Sequence, residues 1–235
     1  MSARFSIVSA SLIAAALLGA AQAQAAARNF PVARFDRIQS SVPFDVRVHT
    51  GAVPSVRAQG PQDALDRLVV EVSNGELVIR SQRGNWWSGW NWRRERAIID
   101  VTVPTLRGAV LNGPGDLAID RVQARSFAGT LRGPGDLSVA SLDTGDVTLT
   151  LDGPGNITAT GRAATARIAL GGPGDVRAGG LTVRDATVHL SGPGDITLNA
   201  TGVVNGSLSG PGDITIRGGA RCAISKRGPG DVSCR

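Results

Sequence analysis

One acidic side chain recurs at nearly constant spacing through the second half of the chain. It closes a Gly-Pro-Gly-Asp unit, or the one variant Gly-Pro-Gly-Asn, and the units begin 18 to 20 residues apart. Carboxylates repeated in this way could bind Ca²⁺, or could cleave a polysaccharide if two of them converged. The residues concerned are Asp116, Asp136, Asn156, Asp175, Asp195, Asp213 and Asp231.

The composition of the unit favours a structural turn over either chemistry. Proline fixes φ at the second position of a type II turn, glycine supplies positive φ at the third, and Asp or Asn can bond nearby backbone N–H groups. Carboxylates stacked about 4.8 Å apart repel by about 1 kcal/mol in water. A hydrogen bond from a backbone N–H to a carboxylate contributes about 1.5–3 kcal/mol, which offsets this repulsion if the side chains face water. We predict structural corners, with no metal and no cofactor.

Two alternatives stay open for these acids. A calcium-binding repeat scaffold of the nonapeptide type would need a Gly-Asp element about every nine residues, and Asn156 interrupts the series. A carbohydrate-active enzyme, lyase-like or hydrolase-like, needs convergent acids on one outward face. The chain carries no Gly-x-Ser-x-Gly, His-Glu-x-x-His or phosphate-loop motif, and His49 and His189 are too far apart for a local metal motif. We therefore predict no catalytic residue.

A segment rich in tryptophan and arginine breaks the repeat pattern at residues 84–96. Tryptophan and arginine together favour contact with a membrane interface or with an anionic glycan, so this segment is the candidate binding loop. Alternatively, the rings fold over the open end of the fold or pack on one another with arginine stacked on them. The candidate binding residues are Trp86, Trp87, Trp90, Trp92, Arg93 and Arg94.

The only two cysteines, Cys222 and Cys234, flank the last corner. Each alternates with aliphatic residues, so both side chains are expected to point into the core of the final coil. An exported protein meets an oxidising compartment, where such a pair closes. We predict a Cys222–Cys234 disulfide.

The elements that position these residues are short strands. Aliphatic residues alternate with polar ones on both sides of each corner, as in Leu131 before one corner and Leu137 and Val139 after it. No stretch of this half has helical periodicity long enough for a crossover helix. Coils of 18–20 residues with corners at fixed places predict an all-β parallel β-helix.

The chain divides into a leader and one predicted domain. Residues 1–25 read as a signal peptide, with Arg4, an apolar run from Ile7 to Leu18 and small residues before the cleavage point. Residues 26–235 form the domain, with irregular opening coils at 26–100 that cap the stack and regular repeats at 101–235. We expect export to the periplasm or cell surface, with no membrane-spanning segment after cleavage.

The net charge of the chain limits the kinds of partner that we expect. The net charge of +6 permits binding to anionic polymers or surfaces. No nucleic-acid recognition motif accompanies it, so nucleic acid is not an expected partner.

Ordered motifs in the opening part resemble a known family, the head GIN domain family of exported bacterial proteins, which is named for auto-transporter adhesins. The resemblance covers about residues 30–235 and implies a right-handed parallel β-helix without an established activity. Here proline stands in the corner where serine is common. We therefore expect an exported, non-enzymatic protein of the cell envelope, adhesin-like or binding a surface or polymer. The motifs are Phe35-Asp36-Arg37-Ile38, Pro43-Phe44-Asp45-Val46-Arg47-Val48, Asn74-Gly75-Glu76-Leu77-Val78-Ile79, Val101-Thr102-Val103-Pro104-Thr105-Leu106 and the Gly-x-Gly-Asp corners.

Overall fold

A computed structural model describes residues 26–82 and 97–235. Two sequence-based predictions therefore lie outside the described residues: the signal peptide at 1–25, and the candidate binding loop with Trp86, Trp87, Trp90, Trp92, Arg93 and Arg94. In the described ranges, no helix has the length and apolarity needed to cross a membrane.

The opening part of the chain holds short strands and one short helix. Their bounds are β1 Ala26–Phe30, β2 Arg37–Ser40, β3 Asp45–Thr50, β4 Ser55–Gly60, α1 Gln62–Asp66, β5 Leu68–Ser73, β6 Glu76–Ser81 and β7 Ile98–Val103.

The repeat part consists of strands joined by the Gly-Pro-Gly-Asp corners and by bends. The strands are β8 Gly108–Leu111, β9 Leu117–Ile119, β10 Val122–Leu131, β11 Leu137–Leu151, β12 Ile157–Leu170, β13 Val176–Leu190, β14 Ile196–Ala200, β15 Val203–Leu208, β16 Ile214–Arg217, β17 Arg221–Lys226 and β18 Val232–Cys234. They stack in parallel register into a β-solenoid of about six turns, which confirms the predicted fold class.

The stacked strands give the solenoid three faces. The first face contains β6, β2, β8, the C-terminal parts of β10 to β13, β15 and β17. The second face contains β7, β3, β9, the N-terminal parts of β11 to β13, β14, β16 and β18. The third face is narrower and is made by residues 122–124, 142–144, 161–163 and 181–183. Side chains on each face alternate between the core and water, as strand geometry requires.

The core is a set of aliphatic columns that run along the solenoid axis. In one column each leucine lies two residues before a corner and pairs with its equivalent in the next coil. Ile79 and Lys226 occupy this same column at its two ends, and Ser40 lies between Ile79 and Leu111. The buried leucines are Leu111, Leu131, Leu151, Leu170, Leu190 and Leu208.

The opening segment does not form parallel coils throughout. Strands β4 and β7 pair antiparallel, as do β1 and β4, and β5 and β6. A tight turn joins β5 to β6, with φ of 51° at Asn74 and 74° at Gly75, which is the left-handed backbone that such hairpins need.

The order of strands in space also differs from their order in the chain. Strand β2 lies between β6 and β8, so the coil formed first in sequence is the second in the stack. Helix α1 contacts β1 and β4 and buries Ala64 and Leu65, which closes this end of the core.

Candidate functional site

The corner acids form a ladder of hydrogen bonds between successive coils. In each step, the side-chain Oδ1 of one corner residue accepts the backbone N–H of the equivalent residue one coil later. The six donor–acceptor distances from Asp116 to Asp231 lie between 2.6 and 3.1 Å. The amide oxygen of Asn156 takes the same place as a carboxylate oxygen and accepts from Asp175 at 3.1 Å. These side chains therefore link coils along the axis rather than closing their own turns.

The ladder has an additional member, Asp45, which was not among the predicted corner residues. Asp45 Oδ1 accepts the N–H of Asp116 at 3.4 Å, and the strand after Asp45 pairs with the strand after Asp116. The signal was present as Pro43-Phe44-Asp45, which has the Pro-x-Asp spacing of the later corners without their glycines.

The glycines of the corners are required for a different reason from the one predicted. The described glycines with positive φ are Gly75, Gly161, Gly218 and Gly219, and no third-position corner glycine is among them. The type II assignment is therefore wrong at these corners. Instead, a Cβ at Gly174 would overlap the backbone carbonyl of Gly155 in the preceding coil, and the same holds at Gly135 against Gly115. The stacked corner backbones approach too closely for any side chain.

Two corner acids also form ion pairs. Arg177 Nη2 lies 3.0 Å from Asp175 Oδ2, and Lys226 Nζ lies 2.8 Å from Asp231 Oδ1. The hydrogen bond and the positive charge of Lys226 lower the pKa of Asp231. Over the part of the chain that the structure describes, no group of three or more His, Cys, Asp or Glu residues is arranged to hold a metal ion.

A disulfide joins Cys222 to Cys234, with 6.5 Å between their Cα atoms, and confirms the predicted bond. Cys222 pairs with buried Val204 and Cys234 with buried Ile216, so both occupy core columns. Cys222 is nevertheless only half-buried and Cys234 is exposed, because β17 and β18 form the last coil that the structure describes.

The two histidines lie on different faces. His189 is exposed on the first face, and its Nδ1 is 3.0 Å from Ser207 Oγ. On the second face, His49 lies between two carboxylates, with Nδ1 3.4 Å from Asp120 Oδ2 and Nε2 3.9 Å from Asp100 Oδ1. The histidines therefore do not share a site.

A polar groove of about 530 Å³ opens on the first face across β11, β12, β13 and β15. Its lining includes two rows of outward side chains that run along the solenoid axis. One row holds Asp146, Thr165 and Asp185, and the other holds Arg167, Thr187 and Asn205. The sequence alone does not predict this groove, because outward positions become neighbours only once the register between coils is known.

The groove's acids and its arginine differ in how they are bonded. Asp146 Oδ1 accepts the hydroxyl of Thr165 at 2.6 Å, and Asp185 Oδ1 accepts the N–H of Val203 at 2.9 Å. The hydrogen bond from Arg184, together with the N–H of Val203, lowers the pKa of Asp185. Arg167 is exposed and forms no ion pair with any residue that the structure describes. Its guanidinium is therefore free to meet an anion.

Known structures share this solenoid. A putative adhesin from Bacteroides fragilis has a TM-score of 0.83 at 23% identity, over 91% of this chain and 98% of that one. A putative lipid binding protein from Parabacteroides distasonis has a TM-score of 0.66 at 18% identity, over 89% of this chain and 96% of that one. At these identities the likeness shows the fold alone.

A comparison with curated proteins gives no match. Residues 34–220, by contrast, match the family described as "Putative auto-transporter adhesin, head GIN domain". That range takes in strands β2 to β16, the corner acids from Asp45 to Asp213 and the groove. The chain belongs to the head GIN domain family, as its motifs predicted.

Proposed function

We propose that this chain is an exported, non-enzymatic protein of the cell envelope that acts like an adhesin, binding a surface or an anionic polymer. The observation that carries the proposal is the use of its repeated acids. From Asp45 to Asp213, each corner side chain accepts the backbone N–H of the next coil. Acids committed to joining coils build a long, regular surface and do not converge on one bond of a substrate.

The groove acids do not favour the alternative of a polysaccharide-cleaving enzyme. A glycosidase needs a general acid that stays protonated near neutral pH, and therefore a carboxyl with a raised pKa. The pKa of Asp185 is lowered by its hydrogen bonds, which is the opposite direction. The other groove acid, Asp146, already accepts a hydrogen bond from the Thr165 hydroxyl through its Oδ1.

Two features support export. Residues 1–25 have the pattern of a signal peptide. The Cys222–Cys234 disulfide is the kind of bond that forms and persists outside the reducing cytoplasm. Location in the periplasm or on the cell surface fits both features and the family name.

We assign binding to the tryptophan and arginine segment at residues 84–96, on sequence grounds. Its composition suits an anionic glycan or a membrane interface, and the net charge of +6 draws the whole chain to such partners. The structurally similar protein from Parabacteroides distasonis is named as a putative lipid binding protein, and that name agrees with the membrane alternative.

Binding of the mature chain to anionic phospholipid vesicles and to immobilised acidic polysaccharides tests this proposal. Replacing Trp86, Trp87, Trp90 and Trp92 with serine should abolish binding to the preferred surface while leaving the melting temperature unchanged. Replacing Arg93 and Arg94 with glutamine should weaken it more than the same change at exposed Arg121 and Arg125, which removes equal charge elsewhere. A wild-type chain that bound neither surface, or that released cleaved sugar, would contradict the proposal. If the serine variant unfolds, the tryptophan rings instead stabilise the fold by packing.

A further inference from the structure

The groove on the first face presents donors and acceptors in two parallel rows. Neighbouring residues within a row belong to successive coils, about 4.8 Å apart, and the two rows are two residues apart along each strand, about 6–7 Å. Thr148, Arg167, Thr187 and Asn205 are in register across four coils. Asp146, Thr165 and Asp185 are in register beside them. A ligand lying along the axis would meet one group of each row in each coil.

The two rows suit different chemical groups on the two edges of that ligand. The unpaired guanidinium of Arg167, with the side chains of Thr187 and Asn205 in the next coils, offers donors to an anionic oxygen. The carboxylates of Asp146 and Asp185 keep acceptor capacity beyond the bonds that hold them, and this suits ligand hydroxyls. Hydroxyls on one edge and a carboxylate on the other describe a sugar acid.

Other linear partners fit less well. A polyphosphate has no hydroxyls along its chain to donate to Asp146 and Asp185, so its charge would meet their carboxylates without compensating hydrogen bonds. An extended peptide could not add as a strand here, because β12 and β13 are hydrogen-bonded to a neighbouring strand on each side.

We propose that the groove lined by Asp146, Thr165, Arg167, Asp185, Thr187 and Asn205 binds a segment of a uronic-acid polysaccharide, with a sugar carboxylate on Arg167 and sugar hydroxyls on the two aspartates. This inference rests on the proposed polymer-binding function and adds to it a polymer class and a second place of contact, apart from the segment at 84–96. The groove volume of about 530 Å³ lies within the range of ligand sites.

Calorimetric titration of the mature chain with oligogalacturonate tests the assignment. Arg167→Gln should weaken binding at least about tenfold, because a charge-assisted pair is lost. Arg177→Gln is the matched control, since it removes an equal exposed charge from the second face, and it should leave the affinity within about twofold. Fully methyl-esterified oligogalacturonate, which keeps its hydroxyls but loses its charge, should bind at least about tenfold more weakly than the free acid.

Several results would overturn the groove assignment. The assignment is wrong if the wild-type chain does not bind oligogalacturonate, or if the two arginine variants lose the same amount of affinity. It is also wrong if the acid and its ester bind with equal affinity. Asn205→Ala provides a second variant in the exposed part of the groove should Arg167→Gln lower the melting temperature, and it should also weaken binding. If the chain does not bind oligogalacturonate but still binds vesicles or another polysaccharide, the groove is not the binding site and the proposed function still holds.

Discussion

At the scale of single residues, the corner glycines matter through the space they leave empty. A Cβ at Gly174 would overlap the carbonyl of Gly155, and neither group can move without shifting a stacked coil. Gly171, three residues earlier, is different: a Cβ there would meet only Asp152 Oδ1 at 3.4 Å and Ser191 Oγ at 3.8 Å, which are ordinary contacts.

Gly174→Ala should therefore destabilise the protein, while Gly171→Ala should be neutral or slightly stabilising. Overpacking against a well-packed core costs about 1–3 kcal/mol, and a backbone neighbour places this site at the upper end. For a chain of this size, that corresponds to a melting temperature lower by about 6–12 °C. Scanning calorimetry of the two variants measures the difference. Equal melting temperatures would contradict the close-approach explanation.

At the scale of elements, the ladder makes each corner depend on the next coil. Asp136 Oδ1 accepts the N–H of Asn156 at 2.8 Å, and Asn156 performs the same role toward Asp175 with an amide oxygen. The ladder therefore needs an acceptor oxygen at each step rather than a negative charge.

Asp136→Asn should keep nearly the stability of the wild-type protein, and Asp136→Ala should lose about 1 kcal/mol, because the N–H of Asn156 loses its partner. Urea unfolding of both variants gives the comparison. Adding millimolar Ca²⁺ should leave all three midpoints unchanged. A calcium-dependent rise in the wild-type midpoint that the Asn variant lacked would instead assign a metal to the corners.

Low pH should weaken three ion pairs on the surface of the solenoid. The hydrogen bond from Arg162 lowers the pKa of Asp143, that from Arg184 lowers the pKa of Asp185, and that from Lys226 lowers the pKa of Asp231. A carboxyl with a lowered pKa in the folded state stabilises the fold above its unfolded pKa, about 3.9, and this stabilisation is lost as pH falls through the folded value.

The unfolding midpoint should therefore decrease below about pH 4, and the decrease should be smaller in a variant with asparagine at positions 143, 185 and 231. All three pairs are exposed, so the difference is small and shrinks further in high salt. Urea midpoints from pH 7 to pH 3 provide the measurement. Identical profiles for the two proteins would show that these pairs do not contribute.

The elements show which parts of the fold local sequence can predict. The corner period and the alternation of leucine and valine predicted the stacked strands, and the flanking positions of Cys222 and Cys234 predicted their bond. The pairing of β2 with both β6 and β8 joins segments far apart in sequence, and no local turn signal specifies it. The groove depends on register, which shifts at irregularities such as that between Val139 and Leu142. Arg167, Thr187 and Asn205 therefore become neighbours only in the folded solenoid.

At the scale of the whole molecule, the two ends of the stack are closed differently. The opening end is covered by α1, the β5–β6 hairpin and the antiparallel strands. At the other end, Ile224 and Val232 remain half-buried, and the Lys226–Asp231 ion pair and the disulfide hold the two strands of the last coil. In a solenoid each coil contacts only its neighbours, so stability is local along the axis.

Removing the disulfide should therefore loosen the last coil and leave the central coils intact. A bridge that closes a loop of this length contributes about 3 kcal/mol on the chain-entropy estimate. In Cys222→Ser/Cys234→Ser, amide hydrogen exchange should accelerate in β17 and β18 and remain unchanged in β11 and β12, which lie several coils away. Reducing the wild-type disulfide should give the same pattern and so controls for the serine side chains. Uniform acceleration through every coil would instead show that the solenoid opens as one cooperative unit.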